Sequence, residues 1–422
     1  MDDPLDNVQL MCPDWLKNKK IPHNAANLVK GICITVTMSG IASGVAQKLL
    51  VDYFGRIKCF PLTSKLKFAI SDYKSPSIDA TDVALSNALE FAERLKSMVP
   101  AATTIDVVCH GERCHTGNNN TGSNIDEEIL TILVNTLNAS TKSARLVVNK
   151  GGIKKLSTID HIPLLTSLVL RYKESTDVKA SLAHKSASTL RHLDIDIRNA
   201  NMLICDKNNE AVVYPNLQHL QLHGCARSST GSKAMTSQTA PFPMLRNLAI
   251  DAPYPFDDDV LFRGNSTTLE NLNFYVDCDT ILMLNKSRVF ENRQMVLRQV
   301  LVRDNFPIHN INIPLIPEAD MSKFLNSLVG GAKIFSVLTL ELAQACITAS
   351  QHGQAFHNIK VIGLSTSGVT LFEVLNLLKA LPALEYFKGG ITGLGPELEN
   401  FSTEELLDYV AFTYADTVKN LQ

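Results

Sequence analysis

The sequence predicts an α/β solenoid, a parallel sheet laid down one strand per repeat with helices and loops on the other side. Three observations predict it. A short apolar triplet recurs along most of the chain, its copies keep a near-constant spacing, and proline precedes several of them.

The triplet reads apolar, two variable residues, apolar, one variable residue, apolar. Its clearest copies are Leu165/Leu168/Leu170, Leu190/Leu193/Ile195, Leu217/Leu220/Leu222, Leu245/Leu248/Ile250 and Leu269/Leu272/Phe274. Further copies fall at Leu297/Val300/Val302, Phe335/Leu338/Leu340 and Ile359/Ile362/Leu364, with a weaker one at Leu384/Phe387/Gly389. First positions from 165 to 297 are 25, 27, 28, 24 and 28 residues apart; after an interruption of 38 the spacing returns to 24 and 25. Those intervals lie in the roughly 20 to 29 residue period of leucine-rich repeats, so the predicted architecture is a leucine-rich-repeat solenoid (horseshoe) with a parallel concave sheet and convex helices and loops.

The physical reason is alternation. The second and third apolar residues of a copy are two apart on a strand and point to one face, which is the core. Proline before the first position, as in Pro215-Asn216-Leu217 and Pro243-Met244-Leu245, holds the approach extended and keeps it out of a helix. Helical spacing marks the connectors Met321, Phe324, Leu325, Leu328 and Leu371, Val374, Leu375, Leu378. Ser228 to Pro241 is rich in Ser, Thr and Gly and reads as a loop.

Four divisions follow. Residues 1–22 form an extension, 23–144 irregular repeats with long helical connectors, 145–400 the regular solenoid, and 401–422 a capping helix. In the second division Val29/Ile32/Ile34, Leu66/Phe68/Ile70, Ile105/Val107 and Leu146/Val148 read as strands. Met38-Ser39-Gly40 reads as a turn. Leu85, Ala88, Leu89, Ala92, Leu95 and Ile125, Ile129, Ile132, Leu133 form two helical stripes, the second opened by Asn124 and Glu127 in capping-box spacing. A separate small α/β domain is the rival for this stretch. Ser402 and Glu405 form a second capping box before Leu406, Leu407, Val410 and Tyr414, a cover for the last repeat.

Composition narrows function by exclusion. With 40 basic and 42 acidic residues the net charge is −2, so nucleic acid and anionic membrane are not expected partners. Nine scattered cysteines do not make a disulfide framework, and the acidic start lacks a secretory layout, which together predict a cytoplasmic or nuclear location and unmodified Asn-x-Ser/Thr matches. The uncharged run Gly31 to Gln47 is broken by Thr, Ser and Gly and reads as a strand, not a membrane span.

The residues flanking the two inward positions face the concave side and build one row after another. They are Ser167, Val169, Arg171; His192, Asp194, Asp196; His219, Gln221, His223; Asn247, Ala249, Asp251; Asn271, Asn273, Tyr275; and Gln299, Leu301, Arg303. The candidate protein-binding patch is His192, Asp194, Asp196, His219, Gln221, His223, Asn271, Asn273 and Tyr275. The competing reading is ordinary solvated strand surface. A zinc or acid–base use of the His and Asp row, or of Cys109-His110-Gly111-Glu112-Arg113-Cys114-His115, is the enzymatic alternative, but the latter spacing fits no common zinc pattern. No catalytic residue, metal ligand or cofactor is therefore expected. Gly390-Ile391-Thr392-Gly393-Leu394-Gly395 reads as a turn, and Asn305 to Pro317 as an insertion in the array.

Copies such as Tyr214-Pro215-Asn216-Leu217 with Leu220 and Leu222, and Phe242-Pro243-Met244-Leu245 with Leu248 and Ile250, resemble the irregular repeats of fungal F-box-type leucine-rich-repeat proteins. The resemblance covers about residues 145 to 390. It implies a substrate-recognition subunit of a ubiquitin ligase, with the repeats holding the target and an F-box holding a cullin ligase adaptor. The first 22 residues, with Cys12-Pro13-Asp14-Trp15-Leu16, do not carry the Leu-Pro-x-Glu start of an F-box.

Overall fold

The computed structural model describes residues 8–10, 30–54, 59–70, 81–102, 104–109, 124–138, 143–148, 165–171, 176–224, 240–256, 259–264, 268–276, 278–287, 299–304, 318–329, 332–337, 348 and 354–408. The chain divides into two compact units, 1–197 and 198–422. Each is a leucine-rich-repeat ladder of parallel strands.

The first unit holds strands β1 Val8–Leu10, β2 Gly31–Val36, β3 Lys65–Ile70, β4 Thr104–Cys109, β5 Ser143–Val148, β6 Leu165–Leu170 and β7 His192–Asp196. Each pairs in parallel with the next. The register aligns inward residues in continuous rows: Ile34, Phe68, Val107, Leu146, Leu168 and Leu193 form one, and all are at most 3% exposed. Matching row to row is what fuses separate repeats into one core. The ladder passes through residues 144 and 145 by way of β5, so the irregular and regular repeats here share one sheet.

Helices α1 Met38–Ala42, α2 Val45–Phe54, α3 Thr81–Met98, α4 Asn124–Asn138 and α5 Thr176–Lys185 connect these strands. Met38-Ser39-Gly40 is not a turn but the first turn of α1. The Thr37 hydroxyl accepts the Gly40 N–H at 3.0 Å, so a threonine that alternation assigns to a strand end serves as a helix cap. In α3 Ala84, Ala88, Phe91, Ala92 and Leu95 are buried while Leu89 is 44% exposed, which shifts the buried stripe off the predicted one by taking in Phe91. In α4 the buried face is Ile129, Leu130, Leu133, Val134 and Leu137. The side chains of Asn124 and Glu127 lie outside the described residues, as do the Cys109–His115 side chains and Val29.

The second unit holds α6 Asn201–Ile204, β8 His219–His223, β9 Asn247–Pro253, β10 Asn271–Val276, α7 Cys278–Ser287, β11 Gln299–Asp304, α8 Glu318–Val329, β12 Ile334–Val337, β13 Val361–Val369, α9 Leu371–Ala380 and β14 Tyr386–Ile391. Strands β8 to β14 are again parallel in chain order. Leu217, Leu222, Leu245, Ile250, Leu269 and Phe274 are fully buried. The aromatic that precedes proline in two copies is part of the core: Tyr214 and Phe242 are fully buried with ring centroids 5.4 Å apart, and the Tyr214 hydroxyl donates to the Leu203 carbonyl at 3.1 Å.

One copy is out of step with its reading. In β12 Phe335 pairs with Val300 and Ile362, and Val337 with Val302 and Leu364, so Phe335 is the second position of its triplet, not the first. The first position is the fully buried Ala332. An alanine carries too little apolar signal to be read there, and the interruption in spacing hid the offset. The glycine-rich segment begins inside β14, which runs to Ile391, and only beyond it does the chain turn, with Gly395 at φ 91°. The expected loop Ser228 to Pro241 and insertion Asn305 to Pro317 lie mostly outside the described residues.

Two helix-start capping boxes form in the C-terminal part, the expected one at Ser402 and Glu405 and another at Thr370 and Glu373 that the sequence reading did not mark. At α9 the Thr370 hydroxyl accepts the Glu373 N–H at 3.2 Å while the Glu373 carboxylate accepts the Thr370 N–H at 2.8 Å. Ser402 and Glu405 repeat the exchange at 3.2 and 2.8 Å. Among the described residues no helix is long and apolar enough to cross a membrane.

Truncating Leu193 to alanine should lower stability by about 3 kcal/mol in denaturant titration, because the residue is fully buried within an in-register row. Thr370→Ala should cost about 1 kcal/mol by the same measurement.

Candidate functional site

The predicted patch falls in two parts. His192, Asp194 and Asp196 stand on β7 of the first unit; His219, Gln221 and His223 on β8, and Asn271, Asn273 and Tyr275 on β10, belong to the second.

In the first unit the sheet face opposite the inward rows carries two contrasting rows of its own. Lys67, Asp106, Arg145, Ser167 and His192 align in register as a polar row. Beside it Ala69, Val108, Val147 and Val169 form a buried apolar row, 4 to 8% exposed. Asp194 is the next register position after Val169, and only 3% exposed. A carboxylate in that place needs a partner. Arg171 supplies it: its Nε donates to the two Asp194 oxygens at 3.1 and 2.9 Å, and a second guanidinium nitrogen joins in at 2.5 Å. Alternation put Asp194 on this face as read, but the pairing commits its charge within the unit. Asp106 shows the same environment in milder form, since burial raises its carboxyl above the usual range against the pull of Arg145, Lys67 and Lys65. At the edge of β7 the backbone carbonyl of Asp196 accepts from Lys179 Nζ, a lysine 2% exposed on α5. Sequence reasoning missed Lys179, because a charged residue on a helix is read as solvated.

In the second unit the outer face of β8, β9 and β10 is a hydrogen-bonded polar surface. His219, Asn247 and Asn271 align in register. Asn247 Nδ2 lies 2.9 Å from His219 Nδ1, and Asn271 Nδ2 donates to Asn247 Oδ1. Burial and the nearby Arg246 hold the His219 imidazole below its ordinary 6.5, which keeps it neutral and lets Nδ1 accept from the amide. The next row is Gln221, Ala249 and Asn273. Beyond it, Asp251 Oδ2 accepts from His223 Nδ1 at 2.9 Å and from Gln221 Nε2 at 3.4 Å. A register shift follows between Phe274 and Tyr275, which pairs with Pro253.

Asn247 and Asp251 were legible as row members but stood outside the predicted patch, although they carry its hydrogen bonds. The signal was available: they occupy the same flanking positions as His219 and His223. One group is left over. Asn273 Oδ1 is buried and makes no hydrogen bond, an arrangement that costs about 1–3 kcal/mol. Among the described residues no three His, Cys, Asp or Glu side chains converge as metal ligands would.

Arg171→Ala should destabilise the chain by about 3 kcal/mol because it strands a buried carboxylate; adding Asp194→Leu should recover most of that loss in the same melt. Asn273→Val should raise stability by about 1 kcal/mol. His219 has its folded-state pKa lowered, so its contribution is intact above pH 6.5 and is lost as pH falls below that value. A His219→Gln variant should therefore lose less stability than the parent between about pH 7.5 and pH 5 in urea titrations.

No protein-family model matches the chain, and no curated protein sequence matches it. Among solved structures, the leucine-rich-repeat-containing protein LegL7 from Legionella pneumophila is similar over 92% of this chain and 97% of its own, at 10% identity and a TM-score of 0.29. The fold assignment rests on the strand ladders themselves.

Proposed function

We propose that the chain is a non-catalytic scaffold that binds a partner protein through the outer face of its strands. The observation that carries this reading is the surface of β8, β9 and β10. There, imidazole, amide and carboxylate side chains from three strands are tied into one register-matched polar array, held in place by the buried apolar rows on the reverse face. Such a surface is laid out before a partner arrives, so little side-chain entropy is lost on binding. Its near-neutral composition suits a protein better than a polyanion.

The resemblance to F-box-type repeat proteins extends the reading to a substrate receptor of a ubiquitin ligase. Affinity purification from native cell extract tests that extension, since a receptor brings cullin ligase adaptor components with it. The binding reading has a separate test. Replacing His219, Gln221 and Tyr275 with alanine together should reduce partner capture by at least about tenfold, as loss of a few central contacts does, while shifting the melting temperature little. Undiminished capture by the triple variant overturns it.

A further inference from the structure

The outer face of β3, β4 and β5 in the first unit carries more positive charge than it balances. By register and alternation Lys65 and Lys67 on β3 and Arg145 on β5 stand on that face, with one carboxylate, Asp106 on β4, between Lys67 and Arg145. The three cations are exposed and Asp106 is half-buried. Among the described residues no hydrogen bond or ion pair holds any of these four side chains. Arg171, on the same face of β6, is the contrast, since it is closed on Asp194.

The setting strengthens that charge. Beside this polar row lies the buried apolar row of Ala69, Val108, Val147 and Val169. Burial raises the Asp106 carboxyl above its usual range although Arg145, Lys67 and Lys65 all pull it down. Charges beside a desolvated patch act on one another more strongly than charges in open water.

We propose that this face is a second interaction surface, separate from that of β8, β9 and β10, and that it takes an acidic stretch of a partner protein. The spacing suits carboxylates on an extended chain. Lys65 and Lys67 are two residues apart on one strand, about 6.7 Å, which is also the interval between alternate side chains of an extended Glu-x-Glu segment. Arg145 stands two strands from Lys67, about 9.6 Å away at the backbone, and its planar guanidinium can grip a further carboxylate through two donors. Three cations less one carboxylate leave two net charges on these strands. That excess matches a few carboxylates, whereas a nucleic-acid strand is bound by neutralising many phosphates along its length.

The test titrates the full chain into rhodamine-labelled octapeptides of glutamate, glutamine and lysine and reads fluorescence anisotropy. Octaglutamate should bind saturably in ~50 mM salt and about fivefold or more weakly in ~300 mM, while the other two should not bind. Arg145→Gln alone should weaken octaglutamate about threefold, and Lys65→Gln, Lys67→Gln and Arg145→Gln together at least about tenfold, with the melting temperature unchanged. Asp106→Asn should tighten binding about twofold to threefold, because it removes the one like charge. Lys207→Gln with Lys286→Gln, which takes two exposed cations from the second unit, should leave binding as it was. Full binding by the triple variant, an equal loss in the Lys207 and Lys286 control, or octaglutamine binding as well as octaglutamate overturns the proposal. Tighter binding of an eight-nucleotide oligothymidylate than of octaglutamate overturns the acidic-protein assignment in favour of nucleic acid. The two surfaces fail separately: octaglutamate binding should persist in the His219, Gln221, Tyr275 triple variant, and partner capture by the parent without any octaglutamate binding overturns this inference alone.

Discussion

The constraint on which the structure depends is the in-register stacking of inward apolar residues from one parallel strand to the next. In each unit a strand alone has one apolar face and no means of burying it. Pairing at a fixed register sets Leu168 beside Leu193 in the first unit and Leu248 beside Leu272 in the second. Every one of these side chains is at most 1% exposed. A slip of one residue would turn each strand's apolar set outward, so the core enforces the register, and the register in turn determines what lines up on the other face.

That second face is where the two units differ. In the first, small apolar side chains from β3 to β6 pack into a buried row, and polar groups adjoining it are driven into pairs. Asp194 is held by Arg171 because a carboxylate next to Val169 has little access to water. In the second, β8 to β10 carry imidazole, amides and carboxylate instead, and these side chains bond to one another across strands. The same alternation therefore yields a stability device in one unit and a hydrogen-bonded polar surface in the other.

Much of this was legible from residue order. The triplets placed β6 to β10 and β13 correctly, the 3.6-residue stripes found the helices before β12 and β14, and capping chemistry located the start at Ser402. What escaped did so for identifiable reasons. Thr37 can end a strand or cap a helix, and only the hydrogen bond from Gly40 decides. Ala332 is too small to announce a core position, which displaced the reading of Phe335 by one place in its triplet.

The sequence by itself determined the period, the parallel ladder and which side chains share a face, because those follow from alternation and spacing along a single strand. It also determined that His192, Asp194, His219, Gln221 and Asn273 would stand on the face opposite the core. Only the tertiary structure decided how they pair. Arg171 closing on Asp194, Asn247 bridging His219 and Asn271, and Asn273 Oδ1 left buried without a bond all depend on contacts between strands more than 20 residues apart. Side-chain pairing across a ladder is set by register and depth, and neither quantity is written in any one repeat.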